Sequence, residues 1–94
     1  MNNYQNLINE IWSYAETGFE EYKSATIMAD FLESEGFKVN RGIANMPTAY
    51  EAVYGEGKPV ICFLAEYDAL FGMNQKADVT RYEPISCAGD RGHG

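Results

Sequence analysis

This chain of 94 residues has little positive charge, few cysteines and no long apolar run. Only 7 Lys and Arg residues stand against 14 Asp and Glu, and the net charge of −7 argues against a nucleic-acid partner, because phosphate contacts need clustered basic side chains. No apolar run approaches the roughly 20 residues of a membrane-spanning helix, and the first residues lack the regions of a signal peptide. We therefore expect a cytoplasmic protein without membrane contact.

Cysteine and histidine are also scarce. The two cysteines, Cys62 and Cys87, are too few for a disulfide framework. Cys62 lies inside an apolar run and is expected to be a small buried hydrophobe, whereas the Gly-rich surroundings of Cys87 predict no role for it. His93 is the only histidine. With no second histidine, the simpler interpretation of His93 is an unstructured side chain near the end of the sequence.

What the chain does contain is a succession of periodic segments of the α/β class. Apolar side chains recur at the helical period over residues 3–16 and 20–35. Alternating apolar and polar residues predict strands at 37–43 and 49–54. A third strand is predicted at 60–65, where an unbroken apolar run is typical of a strand buried on both faces. We thus predict two N-terminal helices packed on a small mixed sheet of about three strands, within one domain.

The connections and the tail complete this prediction. Residues 55–59 have the composition of a turn, so the second and third strands are expected to form an antiparallel hairpin. From Asn74 onwards neither period is present, so we interpret 1–72 as the core and 73–94 as a tail. We expect this tail to be mobile or held by a neighbouring chain.

Two carboxylates, Glu66 and Asp68, directly follow the third predicted strand. Chemistry in open α/β sheets gathers beyond the carboxyl ends of the strands, and residues two apart in an extended segment point the same way. On one interpretation they are metal ligands or residues that orient a ligand. On the other they are solvated, or Asp68 caps a short helical turn. Their spacing alone does not decide between these interpretations.

Four segments, in this order and spacing, carry a family likeness: A-E-T-G-F-E-E (15–21), F-L-E-S-E-G-F (31–37), A-E-Y-D-A-L-F-G (65–72) and R-G-H-G (91–94). Together they resemble the zinc-peptidase-like amidohydrolases, and most closely the branch of p-aminobenzoyl-glutamate hydrolases. The resemblance implies an incomplete piece of a phosphorylase/hydrolase-like zinc-peptidase catalytic domain. It also implies that the complete enzyme uses Zn or Mn to hydrolyse the amide bond of a small-molecule N-acyl or N-aroyl amino acid or dipeptide.

The resemblance assigns roles residue by residue. Asp68 matches the family aspartate that steers a metal ligand or bridges two metals, and Glu66 stands where many relatives carry a histidine ligand and this branch carries an acid. His93 matches a position in the glycine-rich approach to a metal-binding Cys-Gly-His and is not expected to be a ligand. Gly94 falls where that Cys-Gly-His would begin, so the catalytic glutamate and the remaining ligands are expected to lie in later sequence.

The chain as given is therefore predicted to be an inactive N-terminal fragment that binds no metal. Asp68 and Glu66 are its predicted contribution to the catalytic site. The open edge and uncovered apolar face of such a fragment predict self-association, most simply as a twofold homodimer. The alternative is a stand-alone, non-catalytic α/β module that binds a partner.

Overall fold

The computed structural model describes residues 3–85 and 90–93. Both predicted helices are confirmed, as α1 (Asn3–Tyr14) and α2 (Tyr22–Ser34), each slightly shorter than its apolar period. Helix α1 ends before Ala15, whose φ of 46° lies outside the helical region. The chain then crosses a short loop before entering α2.

A glycine, Gly36, closes the C-terminus of α2. Gly36 has a φ of +96°, a conformation that costs glycine little because it has no Cβ. The N–H of Gly36 donates to the Glu33 carbonyl at 3.1 Å, and the N–H of Phe37 donates to the Leu32 carbonyl at 3.0 Å. This pair of bonds is the Schellman arrangement, and it turns the chain directly into the first strand.

Strands β1 (Lys38–Arg41) and β2 (Tyr50–Val53) form an antiparallel pair, which confirms the first two predicted strands. Lys38 lies opposite Val53, and Arg41 lies opposite Tyr50. The guanidinium of Arg41 reaches α2, where it pairs with Asp30 at 2.8 Å and Glu33 at 2.7 Å. Arg41 therefore ties β1 to the helix.

The prediction of a central strand at residues 60–65 is wrong. The structure places these residues in no regular element, and Val60, Ile61, Phe63 and Leu64 are 85%, 75%, 91% and 97% exposed. Cys62 is exposed as well, so its predicted burial is also wrong. A strand of this composition needs hydrogen-bonded neighbours and cover on both faces. Among the described residues no element supplies them, so the expected hairpin through 55–59 and the three-stranded sheet do not form.

A second, smaller sheet joins β3 (Leu70–Phe71) to β4 (Arg91–Gly92) in antiparallel register. Gly92 is required by close approach, because a Cβ at that position would collide with the carbonyl group of Met73. This pairing connects residues on either side of position 72. The division into a core (1–72) and a tail (73–94) stays a prediction.

The stretch predicted as a structureless tail contains an organised loop. The Asn74 side chain donates to the Ile85 carbonyl at 2.9 Å and accepts from its N–H at 3.0 Å. Gln75 likewise donates to the Arg81 carbonyl at 2.7 Å and accepts from the Glu83 N–H at 3.0 Å. Two amide side chains thus take the place of backbone pairing and hold the ends of the loop together.

The described residues form a mixed α/β structure with a very small core. Ala29 and Ala69 are their fully buried apolar residues, each 1% exposed. The Cα radius of gyration of 15.2 Å exceeds the value of about 12 Å expected for a compact domain of this length. No helix in the part of the chain that the structure describes has the length and apolar character needed to cross a membrane.

Candidate functional site

The predicted site residues lie between the exposed segment and β3. Glu66 is exposed and Asp68 is half-buried, and both belong to a stretch without regular structure. They therefore precede the short strand β3. The sequence predicts instead that they follow a strand at residues 60–65. Asp68 lies near the loop after α1, since a Cβ on Gly18 would lie 3.9 Å from Asp68 Oδ2.

The residue after Asp68 is anchored to this same loop. Ala69 forms an isolated parallel bridge with Thr17, and its N–H donates to the Glu16 carbonyl at 2.6 Å. Thr17 is 9% exposed and Ala69 1% exposed, so the contact is shielded from water. Asp68 is thus held beside the α1–α2 loop by its own backbone neighbour.

The residue before Asp68 is anchored on another side. The Tyr67 hydroxyl donates to the Thr48 carbonyl, and the Tyr67 and Tyr50 rings lie with their centroids 6.2 Å apart. The Thr48 hydroxyl in turn donates to Glu21 Oε1 at 3.0 Å. This chain of contacts connects the acidic stretch to the start of α2 and to β2.

The surroundings of Tyr67 keep its hydroxyl protonated. Burial raises the pKa of Tyr67 to about 12, and the negative charges of Glu21 and Glu16 act in the same direction, as does Tyr50. Desolvation and nearby anions both disfavour a phenolate. Tyr67 therefore stays a neutral hydrogen-bond donor, which is the form that its bond to Thr48 needs.

Glu16 joins the helix to the acidic stretch. Its carboxylate accepts from the N–H groups of Lys23 at 2.9 Å and Ser24 at 2.8 Å, while its carbonyl accepts from Ala69. The first N–H groups of a helix have no partner inside it, and a carboxylate there also favours the positive end of the helix dipole. Sequence reasoning missed this role, because Glu16 lies six positions before α2 begins and capping rules cover only the positions next to a helix.

The described residues do not form a metal centre by themselves. Among residues 3–85 and 90–93, no group of three or more His, Cys, Asp or Glu side chains is placed to hold a metal ion. His93 is half-buried, and its Nε2 atom has no hydrogen-bond partner in the described part of the chain. Cys87 lies outside the described residues. A zinc or manganese site therefore does not fit on these side chains alone.

The acidic pair lines neither of two cavities found among the described residues. A cavity of about 120 Å³ lies between α2 and β2, beside Ala29 and Tyr50. Another of about 230 Å³ lies between the end of α1 and the loop that Asn74 closes, beside Trp12. Neither is lined by Glu66 or Asp68. What the geometry offers is a pair of carboxylates on a doubly anchored stretch, accessible from solvent.

The fold and the site together define a class of protein: a mixed α/β scaffold that holds an acidic stretch in place. Among curated proteins, a subunit of the p-aminobenzoyl-glutamate hydrolase of Escherichia coli (strain K12) is 45% identical to this chain over 91 residues. The match covers 97% of this chain and 19% of that protein, so the chain spans about a fifth of the length of its relative. No protein-family model matches the chain, and no solved structure matches it.

The match covers 97% of the residues, so the relation concerns nearly the whole of this chain. It supports the part of the family likeness that points to p-aminobenzoyl-glutamate hydrolases.

Proposed function

We propose that this chain corresponds to the N-terminal part of a metal-dependent amidohydrolase of the zinc-peptidase-like class. The complete enzyme would hydrolyse the amide bond of an N-acyl or N-aroyl amino acid, with p-aminobenzoyl-glutamate as the first candidate. The observation that carries this proposal is the 45% identity to a hydrolase subunit, which runs over 97% of the chain.

The geometry supports a positioning contribution from this chain. Tyr67 and Ala69 are each hydrogen-bonded to a different part of the scaffold, and Asp68 lies between them. A carboxylate that orients a metal ligand must itself be held in place, since outer partners of this kind affect metal affinity and activity. We assign this role to Asp68 and a supporting role to Glu66.

The metal chemistry of the proposed enzyme needs more metal-ligating side chains than the described residues supply. The candidate metal is Zn or Mn, and the described residues supply too few suitable side chains for either. The isolated chain is accordingly expected to be inactive and to bind no metal tightly. A titration calorimetry experiment that found sub-micromolar Zn or Mn binding would contradict this expectation.

A chimera tests the proposal directly. The matched 91 residues of the E. coli protein are replaced by this chain, and hydrolysis of p-aminobenzoyl-glutamate is measured under the conditions in which the parent enzyme is active. We expect the chimera to be active, and we expect Asp68→Asn to reduce its activity by about 10–100-fold, the range found for residues that orient metal ligands.

Asp78→Asn is the matched control, because it makes the same change of charge on an exposed loop residue with a φ of 62°, a conformation that Asn tolerates. It should leave activity unchanged. An inactive but folded chimera would contradict the proposed function, and equal losses from both substitutions would contradict the role of Asp68.

The exposed apolar side chains of residues 60–65 favour a second candidate function, a non-catalytic module that binds a partner. An isolated chain with such a surface is expected to self-associate, most simply as a twofold homodimer. Light scattering at increasing concentration separates the possibilities. A clean monomer throughout would argue against the homodimer.

A further inference from the structure

The larger of the two cavities described above lies apart from the acidic stretch. Its volume is about 230 Å³, against about 120 Å³ for the cavity between α2 and β2. Trp12 lines it from α1, Ile85 from the loop that Asn74 closes, and Arg91 from β4. Three separate parts of the chain therefore meet around one space of the size that a small molecule can fill.

The loop side of this cavity is held in shape by hydrogen bonds. The Asn74 side chain bonds both the carbonyl and the N–H of Ile85, at 2.9 Å and 3.0 Å. The Gln75 side chain bonds the Arg81 carbonyl at 2.7 Å and the Glu83 N–H at 3.0 Å. Because these amides close the loop, their part in the cavity is that of a preformed wall, as ligand sites usually have.

The charged residue of the cavity, Arg91, is not paired within the described chain. The other two arginines each contact a carboxylate: Arg41 pairs with Asp30 at 2.8 Å, and Arg81 pairs with Glu83 at 2.6 Å. Among residues 3–85 and 90–93, the guanidinium of Arg91 has neither an ion pair nor a hydrogen bond. One cation that could bind an acceptor thus lies at the cavity with its donors unused.

The chemistry of the lining side chains states which ligand would suit them. A guanidinium has five donors in a planar fork and no acceptor, which matches a carboxylate. Trp12 is half-buried, and its indole offers a flat apolar surface on which another ring can stack. Ile85 adds an aliphatic surface. The cavity therefore combines a carboxylate-binding group with walls that suit a planar apolar ring.

We propose that this cavity binds a small aromatic carboxylate, with the carboxylate on Arg91 and the ring against Trp12 and Ile85. The net charge of −7 repels anions at long range, so the affinity must come from contacts inside the cavity. Anions without a ring are accordingly expected to bind poorly. This inference does not depend on the proposed function, because neither Glu66 nor Asp68 lines the cavity.

Titration of the isolated chain with benzoate tests the proposal. Trp12 is the only tryptophan, so its indole N–H gives one resonance in the proton NMR spectrum. We expect this resonance to shift in a saturable manner with benzoate. Benzamide lacks the charge and acetate lacks the ring, so both should bind more weakly by about tenfold or more. No shift with benzoate, or equal affinities for the three probes, would overturn the proposal.

Substitution of arginine identifies the cavity that is occupied. Arg91→Gln should weaken benzoate binding by about tenfold or more, because it removes a charge-assisted bond, and it should remove the preference over benzamide. Arg41→Gln is the matched control, since Arg41 lines the other cavity, and it should leave benzoate affinity unchanged. An equal loss from both substitutions, or a loss from Arg41→Gln alone, would overturn the proposal.

Filling the cavity gives a test that leaves β4 intact. Ser13 is an exposed residue of α1 that lines the cavity. Ser13→Phe should occupy the space and abolish benzoate binding, while the amide resonances of α2 stay in place. Asn6→Phe, at an exposed position of α1 outside the lining, is the control and should bind benzoate as the native chain does. Native affinity in a folded Ser13→Phe chain would overturn the proposal.

Discussion

Two regions of this molecule handle their apolar side chains in opposite ways. Residues 22–53 place α2 against the β1–β2 pair, with Ala29 fully buried and Arg41 bonded across to the helix. Residues 60–65 are more uniformly apolar and yet remain exposed. In the first region, the helix and strands that pack together lie close to each other in sequence. The second has none among the described residues.

The difference shows that apolar composition alone does not bury a segment. Covering one large aliphatic or aromatic side chain contributes about 1.5–3 kcal/mol, but only when other groups are placed to cover it. Helix α2 and the strand pair cover each other, since the Schellman turn at Gly36 brings them together. Residues 60–65 are more uniformly apolar, and no described element is placed to cover them.

The largest expected effect comes from placing one charge in each region. Ala29→Asp should lower the free energy of unfolding by about 3–5 kcal/mol, because the carboxylate would be buried without a partner. Leu64→Asp places the same group on a residue that is 97% exposed, and its effect should stay within about 0.5 kcal/mol. Urea unfolding of the isolated chain measures both. Similar losses from the two substitutions would remove the distinction between the regions.

The next effect concerns the loop between α1 and α2, whose Glu16 is hydrogen-bonded both to α2 and to Ala69. Glu16→Ala removes the carboxylate that accepts from Lys23 and Ser24, and it should lower stability by about 1–2 kcal/mol. Glu10→Ala, an exposed position in α1, is the control and should change little. If the two variants unfolded alike, Glu16 would not be capping α2.

A smaller effect is expected at Tyr67 and depends on pH. Tyr67→Phe removes the bond to the Thr48 carbonyl and should lower stability at neutral pH by about 1 kcal/mol. The pKa of Tyr67 is raised from 10.0 to about 12 in the folded protein, so its neutral form stabilises the fold fully below pH 10. That contribution is lost as pH rises through about 12.

The stability difference between the native chain and Tyr67→Phe should therefore narrow over this pH range, which urea unfolding at several alkaline pH values would detect. Tyr82→Phe, at an exposed position, serves as the control. A difference that stayed constant or widened with rising pH would contradict the assigned environment of Tyr67.

The smallest effect is expected at the surface ion pairs. Arg41→Gln removes the contacts to Asp30 and Glu33, whose side chains are largely exposed. Exposed ion pairs contribute little and are screened by salt. The loss of stability should thus be small in dilute buffer and should shrink further in high salt. A loss that did not depend on salt would indicate that packing of the Arg41 stem matters more than its charge.

Local signals made part of this fold predictable. The two helices and the β1–β2 pair depend on residues close together in sequence, and both predictions are confirmed. The prediction for residues 60–65 was wrong because an apolar run indicates a tendency to be buried. It does not indicate whether other elements are placed to bury it. The loop closed by Asn74 and Gln75 was missed, since side-chain amides that replace backbone pairing have no periodicity.

The candidate site was predictable only in part. Glu66 and Asp68 stand out in sequence, but the two residues that anchor their stretch, Tyr67 and Glu16, do not. Tyr67 reaches Thr48, which is 19 positions away, and Glu16 bonds both the start of α2 and Ala69. Contacts at such separations depend on how the elements pack, and no local pattern indicates them.

Hydrogen–deuterium exchange on the isolated chain tests most directly whether residues 60–65 lack a partner within this chain. We expect rapid exchange for the amides of residues 60–65 and slow exchange for those of α2, β1 and β2, since protection follows hydrogen bonding and burial. Protection of residues 60–65 equal to that of β1 and β2, at a concentration where the chain is monomeric, would contradict this expectation.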